Sequence, residues 1–183
     1  MAKKIWEKLV GNVEVPQGVG VQIKGTDVKI TGNGITNARH FKAHEISIRQ
    51  NGSEIEVYSM NKRRDVLAEA GTIAAHIGNM IMGTQKSFET RLEVVYSHFP
   101  INVAIKGGFV EISNVIGQKS PKKARIVGSA KVEAKGKEVI VRGTNKDDVA
   151  QTAANMAQAT KVKNKDIRIF SDGLYVVQKV KAV

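Results

Sequence analysis

The chain has 183 residues, no cysteine, and 29 Lys+Arg against 17 Asp+Glu, a formal net charge of +12. That length suits one large or two small domains, and a 42% hydrophobic share is enough for a core, so disorder throughout is excluded. Without cysteine there is no disulfide framework, thiol nucleophile or thiolate metal site, and a globular chain this basic points to a polyanion as partner.

Residues 1–10 have a basic head with no apolar run behind it, so a cytoplasmic, soluble protein is expected. Residues 19–23 and 28–31 read as strands around a turn at Gly25. Residues 45–48 and 54–58 flank Asn51-Gly52, the strongest short signal for a hairpin. Val66, Ala70, Ile73, Ile77 and Met80 then recur at spacings of 4, 3, 4 and 3, which predicts a helix with one apolar face. Glu69, His76 and Asn79 interrupt this segment, leaving it too polar to span a bilayer. Residues 91–97, with alternating Leu92, Val94 and Tyr96, read as a strand leading out of the first half. Strands are expected again at 103–105, 110–113, 131–134 and 138–142, followed by a helix carrying Val149, Ala153 and Met156 on one face. Thr144 with Asp147 reads as its capping box, and Asp147 and Asp148 suit the positive end of its dipole.

This second series repeats the first. Ile23-Lys24-Gly25-Thr26-Asp27-Val28-Lys29-Ile30 matches Ile105-Lys106-Gly107-Gly108-Phe109-Val110-Glu111-Ile112, and Gly52-Ser53-Glu54-Ile55-Glu56-Val57 matches Gly136-Lys137-Glu138-Val139-Ile140-Val141. Asn61-Lys62 then matches Asn145-Lys146. One duplication is not a solenoid. The expectation is an α+β protein of two tandem domains, residues 1–100 and 101–183, joined near Pro100. Each would be an antiparallel sheet with one helix packed on one face.

Charge is divided unevenly between these halves. Residues 1–100 carry a net +3 and residues 101–183 a net +9. Within the second half, Lys119, Lys122, Lys123 and Arg125 gather around Pro121, and Lys161, Lys163, Lys165 and Arg168 form a second group relieved only by Asp166. Each alone is an ordinary solvated loop; together they form one anion-binding surface if the fold unites them. In the first half, Lys62, Arg63 and Arg64 stand at the start of the predicted helix, where cations oppose the dipole and a nearby phosphate would relieve them.

Nothing points to catalysis, and no cofactor is expected. Gly78 to Thr84 has two glycines at phosphate-loop spacing but Thr in place of the essential Lys. His40 and His44 lie in a stretch without helical periodicity and read as surface residues, not metal ligands. The segment from Lys106 to Ile112 lacks the aromatics of an RRM fingerprint, so single-strand stacking is disfavoured relative to phosphate contacts with structured nucleic acid.

Lys161-Val162-Lys163-Asn164-Lys165-Asp166-Ile167-Arg168, continuing through Ile169-Phe170-Ser171-Asp172-Gly173-Leu174-Tyr175-Val176, resembles the closing signature of the ribosomal protein L-six family in its archaeal and eukaryotic form. Asn79-Met80-Ile81-Met82-Gly83, Val95-Tyr96-Ser97-His98-Phe99-Pro100 and Gln151-Thr152-Ala153-Ala154-Asn155 are similar to segments of the same family. A Glu usually follows the glycine at Gly117 in that family, where this chain has Gln118. The resemblance covers essentially the whole chain. It implies a non-catalytic constituent of the large ribosomal subunit, bound to large-subunit rRNA near the sarcin–ricin loop and the base of the stalk that recruits GTPases. Its partners would be that rRNA and neighbouring ribosomal proteins, with no membrane and no small-molecule substrate. The second domain would supply much of the contact, through Lys161, Lys163, Lys165 and Arg168 and, by loop position and charge, Lys119, Lys122, Lys123 and Arg125. Ile167, Ile169 and Tyr175 read as packing residues. The alternative is a free-standing basic RNA-binding regulator.

Overall fold

The computed structural model describes residues 7–96, 99–166 and 168–183; Ser97, His98 and Ile167 of the motifs above lie outside them. The chain divides into two compact units, the first ending at Lys86 and the second beginning at Ser87.

The first unit runs β1 (Lys8–Glu14), β2 (Gly20–Lys24), β3 (Asp27–Gly32), β4 (Ile35–His40), β5 (Ile46–Asn51), β6 (Glu54–Ser59) and α1 (Arg64–Gln85). Alternation decides which side of each strand turns inward. Val28 and Ile30 of β3 and Ile55 and Val57 of β6 are buried, while their odd-spaced neighbours face outward. The strands form two antiparallel sheets, ordered β1-β6-β5 and β2-β3-β4. The apolar stripe of α1, from Val66 through Ala70, Ile73, Ala74 and Ile77 to Ile81, closes the core against both. β1 comes close to that helix because Gly11 has no side chain: a Cβ there would lie 2.4 Å from the Cβ of Ala74.

The second unit contains β7 (Phe88–Val95), β8 (Asn102–Lys106), β9 (Phe109–Ser113), β10 (Lys122–Arg125), β11 (Lys131–Lys135), β12 (Glu138–Gly143), α2 (Lys146–Thr160) and β13 (Gly173–Ala182). Its sheets are ordered β10-β9-β8 and β11-β12-β7-β13, and α2 packs on both. The architecture is α+β and duplicated, with one α-helix per copy among the described residues. Among the described residues each copy, however, has two sheets where one was expected: the hairpins β2-β3 and β5-β6, and likewise β8-β9 and β11-β12, do not join but each gains further strands of its own, β4, β1, β10, and β7 with β13.

The join also moves. Glu14 of β1 faces Glu54 of β6, and Glu93 of β7 faces the repeat-equivalent Glu138 of β12. β7 is therefore the counterpart of β1 and opens the second copy; it does not lead out of the first, as the alternation at residues 91–97 suggests. Pairing with β12 on one side and β13 on the other fixes it there, so the boundary lies at Lys86/Ser87 and not at Pro100. Recounted on that boundary, residues 1–86 carry 12 Lys+Arg against 8 Asp+Glu, +4, and residues 87–183 carry 17 against 9, +8. β13 has no counterpart in the first unit among the described residues.

Candidate nucleic-acid interface

α2 starts one residue later than a Thr144 cap would place it. Asn145 is the N-cap, its side-chain oxygen accepting the N–H of Asp147 at 3.0 Å. Its matched residue Asn61 accepts the N–H of Arg63 at 3.2 Å ahead of α1. Val149, Thr152, Ala153, Met156 and Thr160 form the buried face of α2. Three polar side chains on this helix then bind the surrounding segments. Asn155 donates to the carbonyl of Arg125 (3.0 Å), Thr152 Oγ1 accepts the N–H of Val127 (3.0 Å), and Thr160 Oγ1 accepts the N–H of Leu174 (3.0 Å).

These ties set the first basic group beside the second. β10 lies antiparallel to β9, with Lys122 opposite Ile112 and Ala124 opposite Val110 on the inward side. Lys122 is half-buried there and lines a cleft of about 520 Å³ with Lys161, Lys163 and Lys165, which follow directly from the C-terminus of α2. Cations suit that helix end, where the dipole is negative. One lysine of the first group and three of the second thus share a concavity.

The remaining site residues lie elsewhere. Lys123 and Arg125 take the outward side of β10, facing Glu111 and Phe109 of β9. Glu111 is shared by Lys106 at 2.7 Å and Lys123 at 3.8 Å, and the Lys106 contact leads in holding its carboxyl below the usual carboxylate range. Lys119 is exposed in the segment ahead of β10. Arg168 is exposed and pairs with Asp166 at 3.0 Å, a contact that depresses the pKa of Asp166. Lys165 Nζ sits 4.6 Å from the centroid of the Phe170 ring, a cation–π contact that shapes the loop. Asn164, at φ 59, supplies its left-handed turn.

Ile169 and Tyr175 are not core residues: they are 62% and 48% exposed. In β13 the inward position falls to Leu174, so its neighbour Tyr175 must face out. Gln118, Gln158, Val115, Ile116 and Val162 also line the cleft, and the sequence reading missed them as site residues. Their signal lay in sequence adjacency to the lysines, which becomes informative only once β10 and α2 are known to be neighbours.

The family model for ribosomal protein L6 matches residues 15–87 and again 99–173. The chain belongs to the ribosomal protein L6 family. Two matched blocks in one chain agree with the internal duplication, and each block begins just after the opening strand of its unit. The large ribosomal subunit protein uL6 of Methanothrix thermoacetophila is 44% identical over 94% of this chain and 98% of its own length. That of Aeropyrum pernix is 44% identical over 98% of both, and that of Archaeoglobus fulgidus 41% identical over 96% of this chain and 91% of its own. As a member of the L6 family the chain is a ribosomal protein, not an enzyme, and therefore works in the cytoplasm. No helix among the described residues is long and apolar enough to cross a membrane.

In the first unit of this L6 chain, the dipole penalty expected at Lys62, Arg63 and Arg64 is eased from within. Arg63 is the N-cap of α1, and its guanidinium clasps Asp65 in the first turn, with Nε 3.2 Å from Oδ1. That hydrogen bond depresses the pKa of Asp65. Arg63 is thus engaged within the helix start, and Arg64 is exposed at the first helical position.

Proposed function

We propose that this L6 protein is a structural constituent of the large ribosomal subunit that binds large-subunit rRNA near the sarcin–ricin loop and the base of the GTPase-recruiting stalk, with its second unit as the main anchor and neighbouring ribosomal proteins beside it. The observation that carries this reading is the cleft in which Lys122, Lys161, Lys163 and Lys165 converge from two chain segments nearly forty residues apart. Such convergence concentrates positive potential where a folded phosphate backbone can enter. Lys119, Lys123, Arg125 and Arg168 broaden the basic surface around it. Of Lys62, Arg63 and Arg64, Arg63 is engaged with Asp65, and the exposed Lys62 and Arg64 would give the first unit a secondary contact. The archaeal relatives named above, all described as large-subunit proteins, support the assignment to that subunit.

The test is binding of the full chain to a purified large-subunit rRNA fragment containing the sarcin–ricin loop, across a salt series. The log–log slope should fall between roughly −3, for four phosphate contacts, and −7, for eight. A slope near zero would remove the electrostatic account. Hydroxyl-radical footprints of subunits with and without the chain should show protection next to that loop; protection only at distant helices would overturn the placement.

A further inference from the structure

The lysine-lined cleft has a floor that phosphate binding does not require. Its rim is cationic, but Val115, Ile116, Ala159 and Val162 form apolar walls, and Gln118 and Gln158 stand among them. Lysines on a flat surface neutralise phosphates equally well, since that interaction is a point-charge attraction with little demand for shape. A volume of about 520 Å³ lies in the range of sites built for small organic molecules.

One wall is held in a costly conformation. Ile116 adopts φ 52 and ψ 39, the left-handed region that β-branched residues avoid. Asn114 and Gly117 on either side also have positive φ. The Asn114 side chain anchors this turn by donating to the Pro100 carbonyl at 3.0 Å, and the Gln118 N–H donates to the Val115 carbonyl at 3.1 Å. Gly117 is required as well, because a Cβ there would press on the Phe99 ring at 3.2 Å. The result is a half-buried Ile116 set beside the lysines.

We propose that this cleft seats one nucleotide extruded from the RNA stack. Its base packs between Ile116 and Val162, the Gln118 and Gln158 amides meet the base edge, and the flanking phosphates rest on Lys122, Lys161, Lys163 and Lys165. This rests on the RNA-binding role proposed above. Each amide presents both a donor and an acceptor, so an edge of either pattern finds a partner. Bases splayed from loops and bulges are the usual target when proteins read RNA sequence, commonly on aromatic rings; here the aliphatic walls of Ile116 and Val162 take the place of the rings.

The experiment uses the full chain with labelled Ile and Val methyl groups, observed by NMR during titration with AMP, GMP, CMP and UMP and, in parallel, ribose 5-phosphate. The mononucleotides should shift the Ile116 and Val162 methyls through the ring current of the base, and ribose 5-phosphate should leave them in place. Equal shifts with ribose 5-phosphate, or no shift with any base, would overturn the seated nucleotide. A second measurement fills the floor with Ala159→Leu. Affinity for the rRNA fragment should fall about tenfold with the salt slope unchanged, because the phosphate contacts remain; unchanged affinity would also overturn the proposal. A flat salt slope in the unaltered chain would instead remove the phosphate reading itself, so the two failures are distinguishable.

Discussion

The side-chain amide of Asn155 reaches across 3.0 Å to the carbonyl of Arg125 and fastens the middle of α2 to the end of β10. Neither atom of this bond carries a formal charge, yet it helps determine where the charges of the interface stand. Asn155→Ala should therefore weaken rRNA binding by a few fold without changing net charge. It should also cost about 0.5–1.5 kcal/mol of stability, the usual value of one hydrogen bond. Thermal melts and a binding isotherm on the same sample check both expectations.

Ala153 tests the packing of the same helix. It is buried against the core, whereas Ala150 is exposed one turn away. Ala153→Leu should overpack the interface and cost on the order of 1–3 kcal/mol. Ala150→Leu should leave the denaturation midpoint close to that of the parent. Equal midpoints for the two variants would mean that α2 is rotated from the orientation described.

Glu89 makes part of the stability pH-dependent. Its side chain is 3% exposed and accepts from Arg91 at 2.8 Å and Arg142 at 2.7 Å, contacts that hold its pKa below the ordinary 4.5. Because the folded-state pKa is depressed, the contribution is fully present above the unfolded value and is lost as pH falls through the folded one. Glu89→Gln should lose stability at neutral pH and show a shallower decline between roughly pH 5 and pH 3, the region where carboxylates titrate. Glu89→Ala should cost on the order of 1–3 kcal/mol, as expected for hydrogen bonds to a charged acceptor. Denaturant titrations at several pH values give the comparison.

The domain boundary predicts which fragments fold. A fragment of residues 101–183 lacks β7, the strand between β12 and β13, and should be disordered by circular dichroism. A fragment of residues 87–183 should give a cooperative melt. It should also retain most of the affinity for the rRNA fragment, and replacing Lys161, Lys163, Lys165 and Arg168 with Ala should reduce that affinity by several fold or more. Equal affinity of residues 1–86 would mean that net charge is a poor guide to the anchor.

Much of this architecture is legible in the sequence, and what is not has physical causes. The hairpin at Asn51-Gly52 and the stripe from Val66 to Ile81 are local signals, decided by residues within a few positions of one another. β10 is Lys-Lys-Ala-Arg, with a single apolar residue, and is a strand only because β9 lies alongside it. β4 alternates as Ile35, Asn37 and Arg39 on its partly buried side, which carries too little hydrophobic contrast to be recognised. β7 was visible as a strand, but its allegiance was not. Alternation assigns faces and is silent about partners, and its partners lie at positions 138–143 and 173–182. The same limit applies to the interface: composition marks both basic groups, and α2, through Thr152 and Asn155, brings Lys122 alongside the lysines that follow it.

The pairing of β7 with β13 also has a consequence for synthesis. The first unit is complete once Gln85 has left the exit tunnel, since α1 is its last element. In the second unit the opening strand waits for the closing one, so its main sheet cannot be finished until Ala182 emerges. Contacts this distant in sequence form slowly, and until they form β7 has one unpaired edge. During that interval the nascent chain presents a finished first unit and an open second one.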